Sequence, residues 1–194
     1  MIGFTGESGS GKSSLLNLLV LLNSPEKGEI YIDGQNISDF DLQSLRSKIG
    51  YVIQESHIFN DTLVNNISLW DQKQSSNKIV LEKARSASNA ARILDFIETL
   101  KDGFETVIEG NGSALSGGQR QRIIVAREIY KNPEIIILDE ASSALDGKNE
   151  ANLFSEILNL RQNRIIIVVA HKISKPEMFD QLYEIKNCEL IQIK

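Results

Sequence analysis

In 194 residues the sequence has one cysteine, three prolines and one tryptophan. A single thiol, Cys188, cannot close an intrachain disulfide, so a reducing compartment fits. Free cysteine is among the most buried residue types, and Cys188 is expected as a small apolar core residue. The scarcity of proline and the ordinary mix of 41% hydrophobic and 24% charged residues exclude a disordered or low-complexity chain. Long hydrophobic runs are also missing. Residues 15–22, interrupted by Asn17, and 165–170 are the longest, far short of the ~20 that a membrane helix needs. Any membrane connection is therefore expected through a partner or through further sequence. Positive charge is the minority sign, with 21 Lys and Arg against 26 Asp and Glu and a net charge of −5. A protein held to nucleic acid by phosphate contacts is usually basic, so no nucleic-acid partner is expected.

What is present reads as one α/β domain. Residues 2–5 form a short apolar strand, 6–11 a glycine-rich turn, and 12–22 a helix. Residues 29–32 alternate and stop at Asp33-Gly34, an edge hairpin. A short helix over 42–48 and a strand over 49–53 follow. From 56 to 109 the pattern is helical and more polar, with amphipathic helices over 78–91 and 91–100. Residues 117–130 form a strong helix, closed by Asn132-Pro133. The apolar runs 135–138 and 165–170 read as strands buried on both faces of a parallel sheet. A helix over 149–160 joins them, giving a βαβ unit. Two last strands, 181–185 and 189–193, flank Lys186-Asn187. The single domain divides into a core of about 1–55 and 131–194 and a helical subdomain of about 56–130.

Gly6-Glu7-Ser8-Gly9-Ser10-Gly11-Lys12-Ser13, with Ser14 next, matches the phosphate-binding pattern G-x-x-x-x-G-K-[ST]. Glycines let the backbone curl until several N–H groups face phosphate oxygens, and the following helix adds its positive end. Lys12 supplies a charge to the β and γ phosphates, and the Ser13 hydroxyl can ligate Mg²⁺. Ile135-Ile136-Ile137-Leu138-Asp139-Glu140 is its natural second half. The two acids emerge at the carboxyl end of a buried strand, where open parallel sheets bind ligands. Asp139 is placed to hold Mg²⁺, and Glu140 to polarise the attacking water. Leu115-Ser116-Gly117-Gly118-Gln119 starts the strong helix with a good N-cap and two glycines. Such an end can bind a second phosphate group, and a spare anion site points to chains that complete each other's nucleotide pocket.

On these three motifs the sequence resembles the ATP-binding domain of ABC transporters, from Ile2 to the C-terminus. The first looks like the family's Walker A loop, the second its Walker B, and the third its signature motif. Gln54 matches the Q-loop glutamine, Ser143-Ala144-Leu145-Asp146 the D-loop, and His171 the switch histidine. Residues 28–33, Leu45-Arg46 and the stretch from Ile58-Phe59 to Asn65-Asn66-Ile67 look most like exporter-type domains. The resemblance implies a P-loop NTPase fold: a mainly parallel sheet flanked by helices, with a helical subdomain between Q-loop and signature. It implies ATP and Mg²⁺ as cofactors, a second ATP-binding domain and a transmembrane domain as partners, and a place on the cytoplasmic side of the cell membrane. In the implied head-to-tail pair, Ser116 and Gly118 face the γ-phosphate held by the other chain, and Asp146 helps organise that facing site. Gln54 links Mg²⁺ and water to the membrane domain, and His171 holds the γ-phosphate and the general base together.

The family also carries early strands and an adenine-stacking aromatic ahead of the phosphate loop. Here Met1 opens the last strand before the loop, so the expectation is a fragment of a longer exporter, or a truncated reading frame. Stacking is worth about 1–3 kcal/mol, so nucleotide binding is expected to be about tenfold weaker or more. Before the signature, Glu109-Gly110 stands in reversed order against the exporter pattern, which puts the glutamate's contact with the membrane domain in doubt. Two other readings compete. One is a chromosome-maintenance or DNA-repair ATPase, disfavoured because the chain has no heptads and one cysteine. The other is a nucleotide-binding fragment that does not hydrolyse. Outside the motifs, His57 is expected to be solvated, Trp70 to pack in the core or an interface, and Arg120 and Arg122 to be ion-paired at the surface.

Overall fold

Apolar residues that alternate within continuous hydrophobic runs make strands that need cover on both sides, and this requirement organises the molecule. The computed structural model describes residues 1–53, 57–71, 77–139 and 164–194. Along the chain run β1 (Ile2–Thr5), α1 (Lys12–Leu19), β2 (Tyr31–Ile32), β3 (Gln35–Asn36), α2 (Leu42–Ser47), β4 (Ile49–Val52), β5 (Asp61–Thr62) and α3 (Leu63–Ser68). Then come α4 (Asn77–Ala90), α5 (Leu94–Thr99), β6 (Val107–Ile108), α6 (Gly117–Tyr130), β7 (Ile135–Asp139), β8 (Ile165–Ala170), β9 (Gln181–Lys186) and β10 (Glu189–Gln192). Six strands form one sheet in the order β10-β9-β1-β8-β7-β4, parallel except for β10.

The period of two sorts the two inner strands. Ile136, Leu138, Ile166 and Val168 face one core together with Ile123 and Ile124 of α6 and Leu63 and Ile67 of α3. Ile137, Ile167 and Val169 face the other, against Leu16 and Val20 from α1 and its end. The result is three layers with the sheet in the middle. The expected helix over 149–160 lies outside the described residues.

Several elements differ from the sequence-based expectation for local reasons. Helix α1 stops three residues before its apolar run does. Leu21 takes a left-handed φ of 60°, and the Leu22 N–H reaches back to the Asn17 carbonyl at 2.8 Å, a C-terminal cap made without glycine. Strands β5 and β6 pair inside the segment expected to be helical; two residues each are too few to show alternation. Cys188 is exposed rather than buried. It is the second central residue of the β9–β10 hairpin, where Asn187 and Cys188 have φ of 51° and 62°, and a two-residue turn of this hand must point its side chains outward. Trp70, expected in the core or an interface, is 43% exposed and so lies outside the core. Its indole N–H donates to Asp61 Oδ2 at 2.9 Å, and its ring meets Phe59 edge-on. His57 is exposed, as expected.

Arg127, buried in α6, ties the segment after β4 to that helix. Its guanidinium donates to the Asn66 carbonyl (2.8 Å), the His57 carbonyl (3.0 Å) and Asn66 Oδ1 (3.2 Å), and it lies over the Phe59 ring. Asn66 in turn closes on Phe59 with both amide groups, accepting from its N–H at 2.8 Å and donating to its carbonyl at 2.9 Å. Burial lowers the Arg127 pKa while neighbouring Glu128 raises it; a guanidinium nevertheless stays charged. Arg127→Met keeps the stem but orphans buried acceptors, so it is expected to cost about 2 kcal/mol in urea unfolding. A loss below about 0.5 kcal/mol would show that the apolar contacts alone hold the segment in place.

Candidate functional site

The parallel register brings three strand ends to one edge. Thr5 pairs with Ala170 and Asp139 with Val169, so the loop after β1, the end of β7 and His171 after β8 emerge side by side. The Thr5 hydroxyl donates to the His171 carbonyl at 2.8 Å and holds two of these ends together. His171 itself is exposed.

Glycine is required in the loop by geometry. A Cβ on Gly6 would lie 2.6 Å from the Ile185 carbonyl oxygen and 2.7 Å from Ser10 Oγ, and Gly9 and Gly11 have φ of 79° and 106°. Lys12 is buried and folds back over its own loop. Its ammonium donates to the Gly6 carbonyl at 2.8 Å and the Glu7 carbonyl at 2.9 Å. Helix α1 begins at Gly11 without a side-chain cap, which leaves first-turn N–H groups for an anion. The Ser10 hydroxyl is buried and has no hydrogen-bond partner within the structure. Glu7, Ser8, Ser13 and Ser14 are exposed beside it. An ammonium, uncapped helical N–H groups and an orphaned hydroxyl fit a polyphosphate.

Asp139 closes β7 half-buried. Tyr51, across from Ile137 in the register, stands on the same face as Asp139. Its phenol donates to Asp139 Oδ2 at 3.0 Å. Burial first, and then the Asp139 charge and hydrogen bond, raise the Tyr51 pKa far above that of an ordinary phenol, which keeps the donor protonated. Nothing in the sequence motifs singled out Tyr51; the available signal was one polar-tipped aromatic in an otherwise apolar strand. Among the described residues no group of three His, Cys, Asp or Glu could hold a metal by itself. A Mg²⁺ site is usually built from one or two protein groups together with substrate phosphates, and Asp139 can supply one of them.

Ser116 caps α6 with a full capping box. Its hydroxyl accepts from the Gln119 N–H at 3.2 Å, and Gln119 Oε1 accepts from the Ser116 N–H at 2.8 Å. The cap consumes the Gln119 N–H and leaves those of Gly117 and Gly118 without helical partners, open to solvent around both glycines. Arg120 was expected to be ion-paired; among the described residues its partners are backbone carbonyls. It donates to the Gly112 and Leu115 carbonyls at 3.1 Å each, and so braces the turn before the cap. Arg122 reaches the Arg92 carbonyl at 3.2 Å. Gln54, Glu140 and Asp146 lie outside the described residues.

With this geometry in place, the family comparison is decisive: the model of the ABC transporter family matches residues 1–143. The chain belongs to that family. It is an ATP-binding domain of exporter type. An ABC transporter relative from Haemophilus influenzae strain 86-028NP, an ATP-dependent lipid A-core flippase, is 43% identical over 189 residues, covering 97% of this chain and 32% of the relative. The flippase of the same name from Methylococcus capsulatus is 44% identical over 191 residues, covering 98% and 31%. A solved bacterial Atm1-family ABC exporter with ATP bound superposes with a TM-score of 0.83 at 35% identity, over 97% of this chain and 32% of that one. The mainly parallel sheet with flanking helices is thus the P-loop NTPase fold. The chain spans about a third of the length of these ABC transporter relatives, and no described helix is long and apolar enough to cross a membrane.

Proposed function

We propose that the chain binds Mg²⁺-ATP at the 6–14 loop and hydrolyses it as half of a head-to-tail pair, driving an exporter's transmembrane domain from the cytoplasmic side. The observation that carries this reading is the Lys12 ammonium poised over a glycine loop and an uncapped helix, on the sheet edge shared with Asp139 and His171. Lys12 and the loop N–H groups hold the β and γ phosphates. Ser13, Asp139 and Gln54 hold Mg²⁺, which when bound neutralises phosphate charge. Glu140 is the general base that takes a proton from the attacking water, and His171 orients that base and the γ-phosphate. Ser116, Gly117, Gly118 and Gln119 present the open N-terminus of α6 to the other chain's γ-phosphate, with Asp146 organising that contact. The core comprises about 1–55 and 131–194, and about 56–130 forms the helical subdomain that meets the membrane domain. A solved structure described as an ABC exporter, 35% identical over 97% of this chain, supports the direction of transport.

A pocket completed by a second chain fixes the test. Phosphate release from Mg²⁺-ATP is expected to rise with the square of protein concentration at low concentration. Specific activity that stays constant on dilution through the monomeric range would sink the head-to-tail pair. No phosphate release at any concentration would sink hydrolysis by this chain.

A further inference from the structure

Tyr51 is held from two directions. Its backbone N–H donates to Glu128 Oε2 at 3.1 Å, and its phenol donates to Asp139 Oδ2 at 3.0 Å. β4 is the outer strand of the described sheet, and Glu128 of α6 takes the place of a further strand there. Glu128 is itself buried and fixed, since Lys131 Nζ contacts its two carboxylate oxygens at 2.8 and 2.7 Å. The backbone of β4 comes close at this point. A Cβ on Gly50 would sit 3.0 Å from Pro133 Cγ and 3.4 Å from Glu128 Cβ. The Tyr51 ring packs in the core beneath α1, so neither its backbone nor its ring is free to drift.

We propose that Tyr51 is a positioning residue for Asp139: its phenol fixes the carboxylate against rotation and so pre-forms the protein's share of the Mg²⁺ site. The proposal rests on the reading of Asp139 as a Mg²⁺ ligand. A carboxylate at a strand end has rotational freedom about two bonds, and a metal must freeze it. A partner that holds it beforehand lowers that entropic cost, and outer partners of metal ligands are typically worth 10–100-fold in affinity. The same hydrogen bond could instead only satisfy a half-buried carboxylate, in which case metal affinity would not depend on it.

The experiment titrates Mn²⁺ by electron paramagnetic resonance into the full chain with a non-hydrolysable ATP analogue, and measures the analogue's affinity separately in EDTA. Tyr51→Phe keeps the ring and its packing. It is expected to weaken Mn²⁺ binding about tenfold and to leave the affinity in EDTA and the urea midpoint close to wild type. Asp139→Asn is expected to weaken Mn²⁺ binding more. If Asp139→Asn is impaired and Tyr51→Phe matches wild type, the positioning role is overturned and the Asp139 assignment stands. If Tyr51→Phe loses affinity equally with and without metal, its role is structural and the proposal is overturned. If Asp139→Asn itself binds Mn²⁺ as wild type does, the ligand assignment fails and takes the proposal with it.

Discussion

Lys12→Ala is expected to remove nearly all ATP binding. The ammonium is satisfied by two carbonyls, Gly6 at 2.8 Å and Glu7 at 2.9 Å. It is therefore already desolvated and held at the proposed phosphate site. Binding exchanges neutral acceptors for anionic ones and so adds attraction between opposite charges to hydrogen bonds that the ammonium already makes. Removing one member of such a buried pair costs about 2–5 kcal/mol, or roughly 30-fold to several thousand-fold in Kd. Stability should change far less. The two carbonyls belong to a loop with exposed neighbours, and water can replace the ammonium at a cost of about 1 kcal/mol. Calorimetric titration with Mg²⁺-ATP beside urea unfolding separates the two effects. Wild-type affinity in Lys12→Ala would mean that the phosphates do not lie in this loop.

How far the sequence could be read depended on whether a feature is carried by local pattern or by distant contacts. The run 165–170 became β8 with the expected ends, because two apolar faces leave a strand nowhere to stop but at its polar borders. Helix α6 likewise began at Gly117, because Ser116 and Gln119 signal a capping box three residues apart. The glycine-rich turn over 6–11 was legible for the same reason: its glycines answer to backbone geometry within the loop itself. Cys188 was misjudged, since residue-type preference for burial says nothing about a left-handed turn position. The Tyr51–Asp139 contact spans 88 positions in sequence. It exists only through the β4–β7 register, which no local signal specifies. Arg120 was misread because its partners are backbone carbonyls, and these have no signature in the sequence.

Glu140→Gln should separate binding from hydrolysis. Glu140 directly follows Asp139 in sequence, and Asp139 ends β7 at the edge shared with the phosphate loop and His171. The substitution preserves shape and removes the ability to take a proton. General-base catalysis is worth about 10²–10⁴-fold, and turnover should fall by about that factor. Binding should not fall with it. A glutamate beside Asp139 and a polyphosphate adds repulsion between like charges, and glutamine removes that repulsion. The ATP-bound pair should then persist, because the event that opens it has been suppressed. Size-exclusion chromatography is expected to show the variant as a dimer with Mg²⁺-ATP and a monomer without it, while the wild type returns to monomer as ATP is consumed. A variant that hydrolyses at the wild-type rate would remove Glu140 from the mechanism. One that neither hydrolyses nor dimerises, yet still binds ATP, would place Glu140 in the contact between the two chains rather than in proton transfer.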